Sequence, residues 1–203
     1  MVEHVLGKDE VTGSIPVVSS PRIAMLETPR LLLREYTLDD LPALHRILSD
    51  SITMQFWPRP FTDAESRGWL ERAILSYSTN GFGRCAVILR ETGEQIGDAG
   101  LMRTEVNAKP ELDLGYIIHA NYWRNGFGLE AATASLQYGV EAGERRIVAN
   151  MAHDNVASRR VAERLGTSKE LEFANARNRG ILTYLYAFTP ASAVTTERRT
   201  ATS

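Results

Sequence analysis

The stretch that decides the fold runs over residues 122–131: Tyr122-Trp123-Arg124-Asn125-Gly126-Phe127-Gly128-Leu129-Glu130-Ala131. Its two glycines, Gly126 and Gly128, stand where a polar loop passes into a predicted helix. Glycine adopts positive φ and lets a ligand approach the backbone closely. The first amides of a helix lack an internal partner, and the helix dipole favours anions there. The stretch therefore predicts a phosphate site built from main-chain amides, with a plain tight turn as the alternative.

Two other phosphate-binding motifs also contain closely spaced glycines before a helix. Residues Gly126 to Ala131 also satisfy the dinucleotide fingerprint G-x-G-x-x-A, which requires a strand that runs straight into the first glycine. Here the predicted strand Leu112–Ile118 ends well before Gly126, and the roughly 75 residues that follow are too few for a doubly wound sheet. A Walker A loop is excluded because no Lys-Ser or Lys-Thr follows the glycines.

The remaining elements alternate irregularly between strands and helices. Period-2 apolar runs and turn residues predict seven strands: Leu31–Glu35, Gly83–Leu89, Gln95–Arg103, Leu112–Ile118, Ile147–Ala152, Glu170–Phe173 and Leu182–Phe188. Capping residues and apolar spacing predict four helices, at about 37–48, 62–77, 126–142 and 155–165. An antiparallel meander lies in the middle, so the order favours an α+β (mixed α/β) domain.

Composition narrows the class of protein further. The chain has 203 residues, of which 43% are hydrophobic and 24% charged, and a formal net charge of −2. These values predict one folded domain. Residues 1–24 and 190–203 show no periodic pattern, so we expect them to be flexible extensions of a domain at residues 25–189. Without net basicity or a long apolar run, neither nucleic acid nor a membrane is expected as a partner.

Cysteine usage bears on compartment and metal binding. Cys85 is the only cysteine, so neither an intramolecular disulfide nor a cysteine-based zinc site can form. The sequence offers no ordered set of metal ligands, and we expect no metal. A single cysteine in an apolar run fits a reducing, cytoplasmic protein.

Three ordered matches give the chain from about Leu26 to Phe188 a family resemblance. Trp123-Arg124-Asn125-Gly126-Phe127-Gly128 resembles the Q/R-x-x-G-x-G/A loop of the GNAT N-acetyltransferases. Asn155-Val156-Ala157-Ser158-Arg159-Arg160-Val161 with Leu165-Gly166 resembles a helix of the subgroup that acetylates N-terminal amines of ribosomal proteins. Glu27-Thr28-Pro29-Arg30-Leu31-Leu32-Leu33-Arg34 resembles the opening strand of that subgroup.

The resemblance implies the GNAT fold, with a mostly antiparallel twisted sheet of six to seven strands and about four helices. It implies acetyl-CoA as acyl donor and a primary amine, on a protein N-terminus or a small molecule, as acceptor. In the family a bulged strand, the glycine loop and a following helix hold the donor. The corresponding residues of this chain are Ile117, Ile118, Trp123, Arg124, Asn125, Gly126, Phe127, Gly128, Leu129, Asn155 and Ser158.

The same resemblance implies two catalytic roles. Asp113 stands where many relatives have a glutamate, and its carboxylate would accept the proton of the amine. Ser158 would donate to the leaving thiolate, since the tyrosine that many relatives use is replaced by Ala162. Each has a structural alternative: Asp113 as a solvent-facing acid on the same strand face as Glu111, and Ser158 as a first-turn capping residue.

The acceptor side is predicted from the loop that joins the first two helices. In relatives this loop walls the acceptor pocket, and here it carries Phe56, Trp57 and Arg59 as candidate substrate-binding residues. The edge strands of such a sheet are compatible with a homodimer. A non-catalytic acyl-CoA-binding module and a dinucleotide-binding oxidoreductase are the alternative functions.

Overall fold

The computed structural model describes residues 25–189, so the extensions expected at 1–24 and 190–203 lie outside the described residues. Eight strands occur in this range: β1 (Met25–Glu27), β2 (Leu31–Arg34), β3 (Arg84–Leu89), β4 (Gln95–Val106), β5 (Lys109–Ile118), β6 (Ile147–Ala152), β7 (Ser168–Asn175) and β8 (Ile181–Phe188). Four α-helices accompany them: α1 (Leu41–Leu48), α2 (Asp63–Asn80), α3 (Phe127–Glu141) and α4 (Val156–Arg164).

All eight strands form one sheet in the order β1-β2-β3-β4-β5-β6-β8-β7. Every neighbouring pair is antiparallel except β5 and β6, which are parallel. The predicted α+β class, the mostly antiparallel sheet and the four helices are therefore confirmed. The sheet has one strand more than the six to seven expected, because the three-residue β1 pairs with β2.

Helices cover both faces of the sheet, and the strand residues alternate between the two cores accordingly. In β3, Cys85 and Val87 belong to the core beneath α3, whereas Ala86 and Ile88 belong to the core beneath α1 and α2. All six residues of β3 are consequently buried, as expected for a strand covered on both faces. No helix within residues 25–189 is long and apolar enough to cross a membrane.

Local capping chemistry fixes where α2 begins and ends. The Thr62 hydroxyl accepts a hydrogen bond from the Glu65 amide at 3.3 Å, and Glu65 Oε2 accepts one from the Thr62 amide at 2.8 Å. This reciprocal capping box is the one predicted from the sequence. At the other end Gly81 adopts the left-handed conformation (φ 78°) and terminates the helix three residues later than predicted.

Strands β4 and β5 extend further than predicted and meet in a tight hairpin. The turn residues Asn107 and Ala108 both have positive φ, 48° and 59°, which is the geometry of a two-residue turn between twisted strands. The strands predicted from the sequence end at Arg103 and begin again at Leu112, and of the two turn residues only Asn107 is of a type that tolerates positive φ.

A buried polar network lies between the sheet and α2. Asp98 on β4 is fully buried and accepts hydrogen bonds from Arg84 Nε at 2.9 Å, Tyr36 Oη at 3.0 Å and Trp69 Nε1 at 3.2 Å. The Arg84 side chain is only 6% exposed. Three donors around one buried carboxylate provide the compensation that a buried ion pair requires.

We predict that Asp98→Asn destabilises the protein by about 3 kcal/mol, because it leaves the Arg84 guanidinium buried without its counter-charge. Urea denaturation monitored by circular dichroism measures the change. Glu172→Gln is the control, since its ion pair with Lys169 is about half exposed on both sides and should change stability by less than about 1 kcal/mol. Equal effects of the two substitutions would contradict the assignment.

Candidate active site

The parallel strands β5 and β6 are joined at a single residue pair, Asp113 with Val148. Beyond it β5 continues through residues 114–118 along β4 alone, with no further pair to β6 among the described residues. Alternate backbone N–H and C=O groups of this segment therefore point away from β4, into the gap on the side of β6, and have no strand partner there. We call this opening between β5 and β6 the seam.

A cavity of about 780 Å³ opens beside the seam. This volume lies within the range of small-molecule sites. Six of the residues predicted from the sequence line it: Phe56, Trp57, Asp113, Ile117, Asn155 and Ser158. The fold thus brings the predicted acid, the predicted hydroxyl and part of the acceptor loop to one cavity.

Asp113 lies at the point where the strands separate. Its Oδ1 accepts a hydrogen bond from Asn150 Nδ2 on β6 at 2.7 Å. Burial raises the pKa of Asp113 above its usual value, against the opposing effects of the Arg84 charge and the Asn150 hydrogen bonds. A carboxylate whose ionised form is disfavoured is a stronger base, as proton abstraction near neutral pH requires.

The neighbouring acid Glu111 on β5 has a different environment, and its side chain is 10% exposed. Glu111 forms an ion pair with Arg146 at 3.0 Å, and Arg146 also binds Glu170 at 2.8 Å. This trio joins β5 to β7 and uses Glu111 structurally. Asp113, two residues further along β5, has Asn150 as its partner and lines the cavity.

The start of α4 supplies the second wall of the seam. Asn155 Oδ1 accepts a hydrogen bond from the Ser158 amide at 3.1 Å, so Asn155 caps the helix while also lining the cavity. Ser158 faces the cavity from the first turn. Ala162, which replaces the tyrosine of many relatives, is buried in an apolar cluster with Met151 and Tyr186.

The glycine loop turns from the end of β5 into α3. Trp123 Nε1 donates to the Ile118 carbonyl at 2.7 Å, and the Asn125 side chain donates to the carbonyls of Tyr122 and Trp123. Arg124 and Gly126 both adopt the left-handed conformation, with φ of 65° and 81°. Gly126 is the N-cap of α3 and has no side chain to cap its first amides, which remain available to an anion.

A polar clasp formed by Thr28, Arg30 and Glu130 holds this loop against the opening strands. Glu130 accepts hydrogen bonds from Thr28 Oγ1 at 2.6 Å and from Arg30 Nε at 2.7 Å. Arg30 also donates to the Asn125 carbonyl at 2.9 Å and lies 4.5 Å from the centre of the Phe127 ring. The hydrogen bonds from Thr28 and Arg30 outweigh burial, which acts in the opposite direction, and lower the pKa of Glu130. Gly126 and Leu129 line a second cavity of about 490 Å³ beside the clasp.

Aromatic rings form the wall of the main cavity on the acceptor side. Trp57, Phe61 and Trp69 pack edge to face, with ring centroids 5.5 to 5.8 Å apart. Phe61 and Trp69 pack against the core beneath α2 and line the cavity at the same time. Arg59 lies outside the cavity lining and forms a bidentate pair with Glu65 at 2.8 Å. Together the Thr62 amide and Arg59 lower the pKa of Glu65 to about 2.

The connection between β7 and β8 also lines the cavity, a contribution that sequence reasoning missed. Asn178 Nδ2 donates to the Phe56 carbonyl at 2.7 Å, and Arg177 binds both the carbonyl and the carboxylate of Glu105. The segment 175–178 contributes four lining residues. No periodic pattern marks this segment in the sequence, because its role depends on contacts with residues more than 70 positions away.

Comparison with known proteins assigns this arrangement to a family. Residues 30–168 match the acetyltransferase (GNAT) domain. An uncharacterized N-acetyltransferase, p20 of Bacillus licheniformis, is 31% identical over 169 residues, which cover 80% of this chain and 94% of that protein. The chain therefore belongs to the GNAT acetyltransferases, as the sequence predicted, and is an N-acyltransferase.

Solved structures share the architecture. The chain is similar to a GNAT-family acetyltransferase from Bacillus anthracis, with a TM-score of 0.68 at 26% identity over 81% of this chain and 98% of that one. The RimL ribosomal L7/L12 alpha-N-protein acetyltransferase in complex with coenzyme A aligns with a TM-score of 0.67 at 21% identity, over 81% and 97% of the two chains. At that identity the likeness shows the shared fold. Within residues 25–189 no cluster of three or more metal-ligating side chains occurs.

The raised pKa of Asp113 makes a prediction about stability. Below the unfolded-state pKa, about 3.9, the carboxyl is protonated in both states and costs nothing. As pH rises through that value toward the higher native pKa, the unfolded state loses its proton first, so wild-type stability falls. We predict that Asp113→Asn melts at a higher temperature than wild type at neutral pH.

The gain should disappear as the pH falls to about 4 or below. Melting curves over a pH series measure it. The same substitution at exposed Asp154 is the control and should give no such pH-dependent gain. A lower melting temperature for Asp113→Asn at neutral pH would contradict the raised pKa.

Proposed function

We propose that the chain binds acetyl-CoA along the seam and transfers its acetyl group to a primary amine by direct attack in a ternary complex. The observation that carries the proposal is the unpaired edge of β5 at residues 114–118, between Asp113 and the uncapped start of α3. Backbone groups along this edge suit the amides of pantetheine, and the helix N-terminus suits its pyrophosphate. Ile117, Ile118 and residues 123–129 supply this surface, with Asn155 and Ser158 facing it from α4.

The reaction requires three contributions from the protein. Asp113 accepts a proton from the amine nitrogen, so that a neutral amine forms the new N–C bond as the C–S bond of the thioester breaks. Backbone N–H groups of β5 at the seam stabilise the negative charge that develops on the carbonyl oxygen. Ser158 donates a hydrogen bond to the departing sulfur, which keeps the electron pair of the broken bond.

The structure disfavours the dinucleotide alternative. That reading requires a parallel, doubly wound sheet and a strand that enters the glycine turn directly. Instead β5 ends at Ile118, eight positions before Gly126, and the sheet is antiparallel apart from one strand pair. An acyl-CoA-binding module without turnover differs from the proposed enzyme in one observable, the release of free thiol.

The acceptor amine enters, on this proposal, between the aromatic wall and the β7–β8 connection. Trp57 and Phe56 offer apolar and aromatic contacts there, and Asp113 lines the same cavity. Both a protein N-terminus, as for RimL, and a small amine fit this description. We place the reaction in the cytoplasm, supported by the single buried and unpaired Cys85.

The decisive experiment combines binding with turnover. Calorimetric titration with acetyl-CoA and with NADH identifies the bound cosubstrate, and we expect only acetyl-CoA to bind. A mass-spectrometric screen of acceptor peptides and small amines, run alongside a free-thiol assay, then identifies the acceptor class. Binding of acetyl-CoA without thiol release from any amine would favour the non-catalytic module, and binding of NADH would overturn the proposal.

We predict that Gly126→Val weakens acetyl-CoA binding at least tenfold, which is about 1.4 kcal/mol. A branched side chain at φ 81° strains the loop and moves the first amides of α3 away from the pyrophosphate. Gly143→Val is the matched control, because Gly143 has φ 89° and open space around it but lies beyond the opposite end of α3. Calorimetry should show a much smaller loss for Arg124→Ala, since main-chain groups dominate the site.

Substitutions of the two proposed catalytic residues should change the pH dependence of turnover in different ways. Asp113→Asn removes the proton acceptor, so turnover should fall about a hundredfold near neutral pH and recover as rising pH supplies neutral amine. Ser158→Ala removes a donor to the thiolate, so turnover should fall with little recovery at high pH. Steady-state pH profiles separate the two patterns. Wild-type rates from both variants would mean that positioning alone accounts for catalysis.

A further inference from the structure

Arg72 on α2 is a cation of the main cavity that the roles assigned above do not use. The residue is exposed and lines the cavity, and its guanidinium lies 5.9 Å from the ring centroid of Trp69, three positions earlier on the same helix. Gly68, one turn earlier, has no side chain to cover it, and Arg72 Nη1 lies 3.4 Å from the place of a Cβ there. Across residues 25–189, Arg72 forms neither an ion pair nor a hydrogen bond. Its N–H donors are therefore available to a ligand in the cavity.

The other cations that line the cavity are already compensated. Arg84 forms an ion pair with Asp98 at 2.9 Å, and its side chain is almost fully buried. Arg177 forms an ion pair at 3.1 Å with Glu105, which also lines the cavity. Among the lining residues that the structure describes, Arg72 is thus the cation whose charge has no acidic partner.

Asp113 is the acid of the same lining that has no cationic partner. Its hydrogen-bond partner is the uncharged side chain of Asn150, and no described residue forms an ion pair with it. The cavity therefore presents one acidic group on β5 and one cationic group on α2, and no ion pair within the protein neutralises either. Charges fixed at two places select a ligand with the opposite charge at each place and disfavour a ligand that carries only one of them.

A carboxylate is the ligand group that Arg72 suits. The planar guanidinium matches the two oxygens of a carboxylate in a bidentate pair. A single guanidinium also balances the one charge of a carboxylate, whereas a phosphate monoester carries nearly two. The rings of Trp57, Phe61 and Trp69 make this side of the cavity apolar. Apolar surroundings lower the local dielectric constant, so a charge pair formed there is stronger than one in bulk water.

We propose that the acceptor carries a carboxylate as well as its primary amine, and that Arg72 binds the carboxylate while Asp113 accepts the proton of the amine. The inference rests on the proposed function and names the substrate class of its acceptor site. The carboxylate takes no part in the transfer, in which the N–C bond forms and the C–S bond breaks. A free amino acid and a peptide with an acidic residue next to its N-terminal residue both present this pair of groups. Polyamines lack the carboxylate and should be poor acceptors.

Matched acceptor pairs test the inference in the free-thiol assay with acetyl-CoA. Each pair is a carboxylate and the corresponding amide, in three sets. The first set contains the α-amino acids, and the second contains linear amino acids with longer spacers between amine and carboxylate. The third contains short peptides with an amidated C-terminus and either aspartate or asparagine as the second residue. The first two sets represent a free amino acid and the third a protein N-terminus. In one of these sources we expect the carboxylate to have the higher kcat/KM, by at least tenfold, which is about 1.4 kcal/mol.

Arg72→Gln removes the charge and retains a polar side chain, so the ratio of kcat/KM between carboxylate and amide should fall at least tenfold. The loss should lie chiefly in KM, because the carboxylate is bound equally in the ground state and the transition state. Comparing ratios cancels the different basicities of the two amines. Arg67→Gln is the matched control and should keep the wild-type ratio, since Arg67 is exposed on the same helix but outside the cavity lining.

A third variant, Arg72→Lys, keeps the charge but not the bidentate geometry, so its ratio should lie between those of Arg72→Gln and wild type. Thiol release without a preference for the carboxylate in any set, or a wild-type ratio in Arg72→Gln, would overturn the inference while the proposed function stands. Failure to bind acetyl-CoA, or binding without thiol release from any amine, would instead overturn the proposed function and the inference with it.

Discussion

The structure depends on one constraint, the single residue pair that joins β5 to β6. A parallel sheet would continue the ladder, and the backbone groups of residues 114–118 would then be satisfied within the protein. Here the strands separate after Asp113 and Val148, and α3 and α4 begin on either side of the resulting gap. The backbone of β5, the start of two helices and the cavity therefore all meet at the seam.

The same separation explains the unusual environment of Asp113. Where the two strands separate, Asp113 lines the cavity and has Asn150 as its hydrogen-bond partner. Burial without a direct cationic partner disfavours its charge. By contrast, the fully buried Asp98 receives three donors, Arg84 among them. One acid stabilises the fold and the other retains the capacity to bind a proton.

Sequence reasoning recovered the features that depend on local signals. The capping box of α2, the left-handed Gly126 and the cap at Asn155 were all recognisable, because each involves residues three or fewer positions apart. The fold class followed from the order of these elements and from the family resemblance. The catalytic and donor-binding roles of the predicted residues remain predictions.

The features that were missed involve partners far apart in the chain. Asn150 interrupts an apolar run, which is a visible signal, but its pairing with Asp113 across 37 positions is not. The position of the β4–β5 turn could not be read from the sequence, because Ala108 is not a residue that favours positive φ.

The polar clasp of Thr28, Arg30 and Glu130 affects the order in which parts of the protein fold. Arg30 and Glu130 are 100 positions apart, so the glycine loop reaches its final geometry only after a large closed loop of chain has formed. Contacts of such high sequence separation form late, because their entropy cost must be met first. We therefore expect the strand pairs that are close in sequence, such as β4 with β5, to form before the anion-binding turn reaches its final geometry.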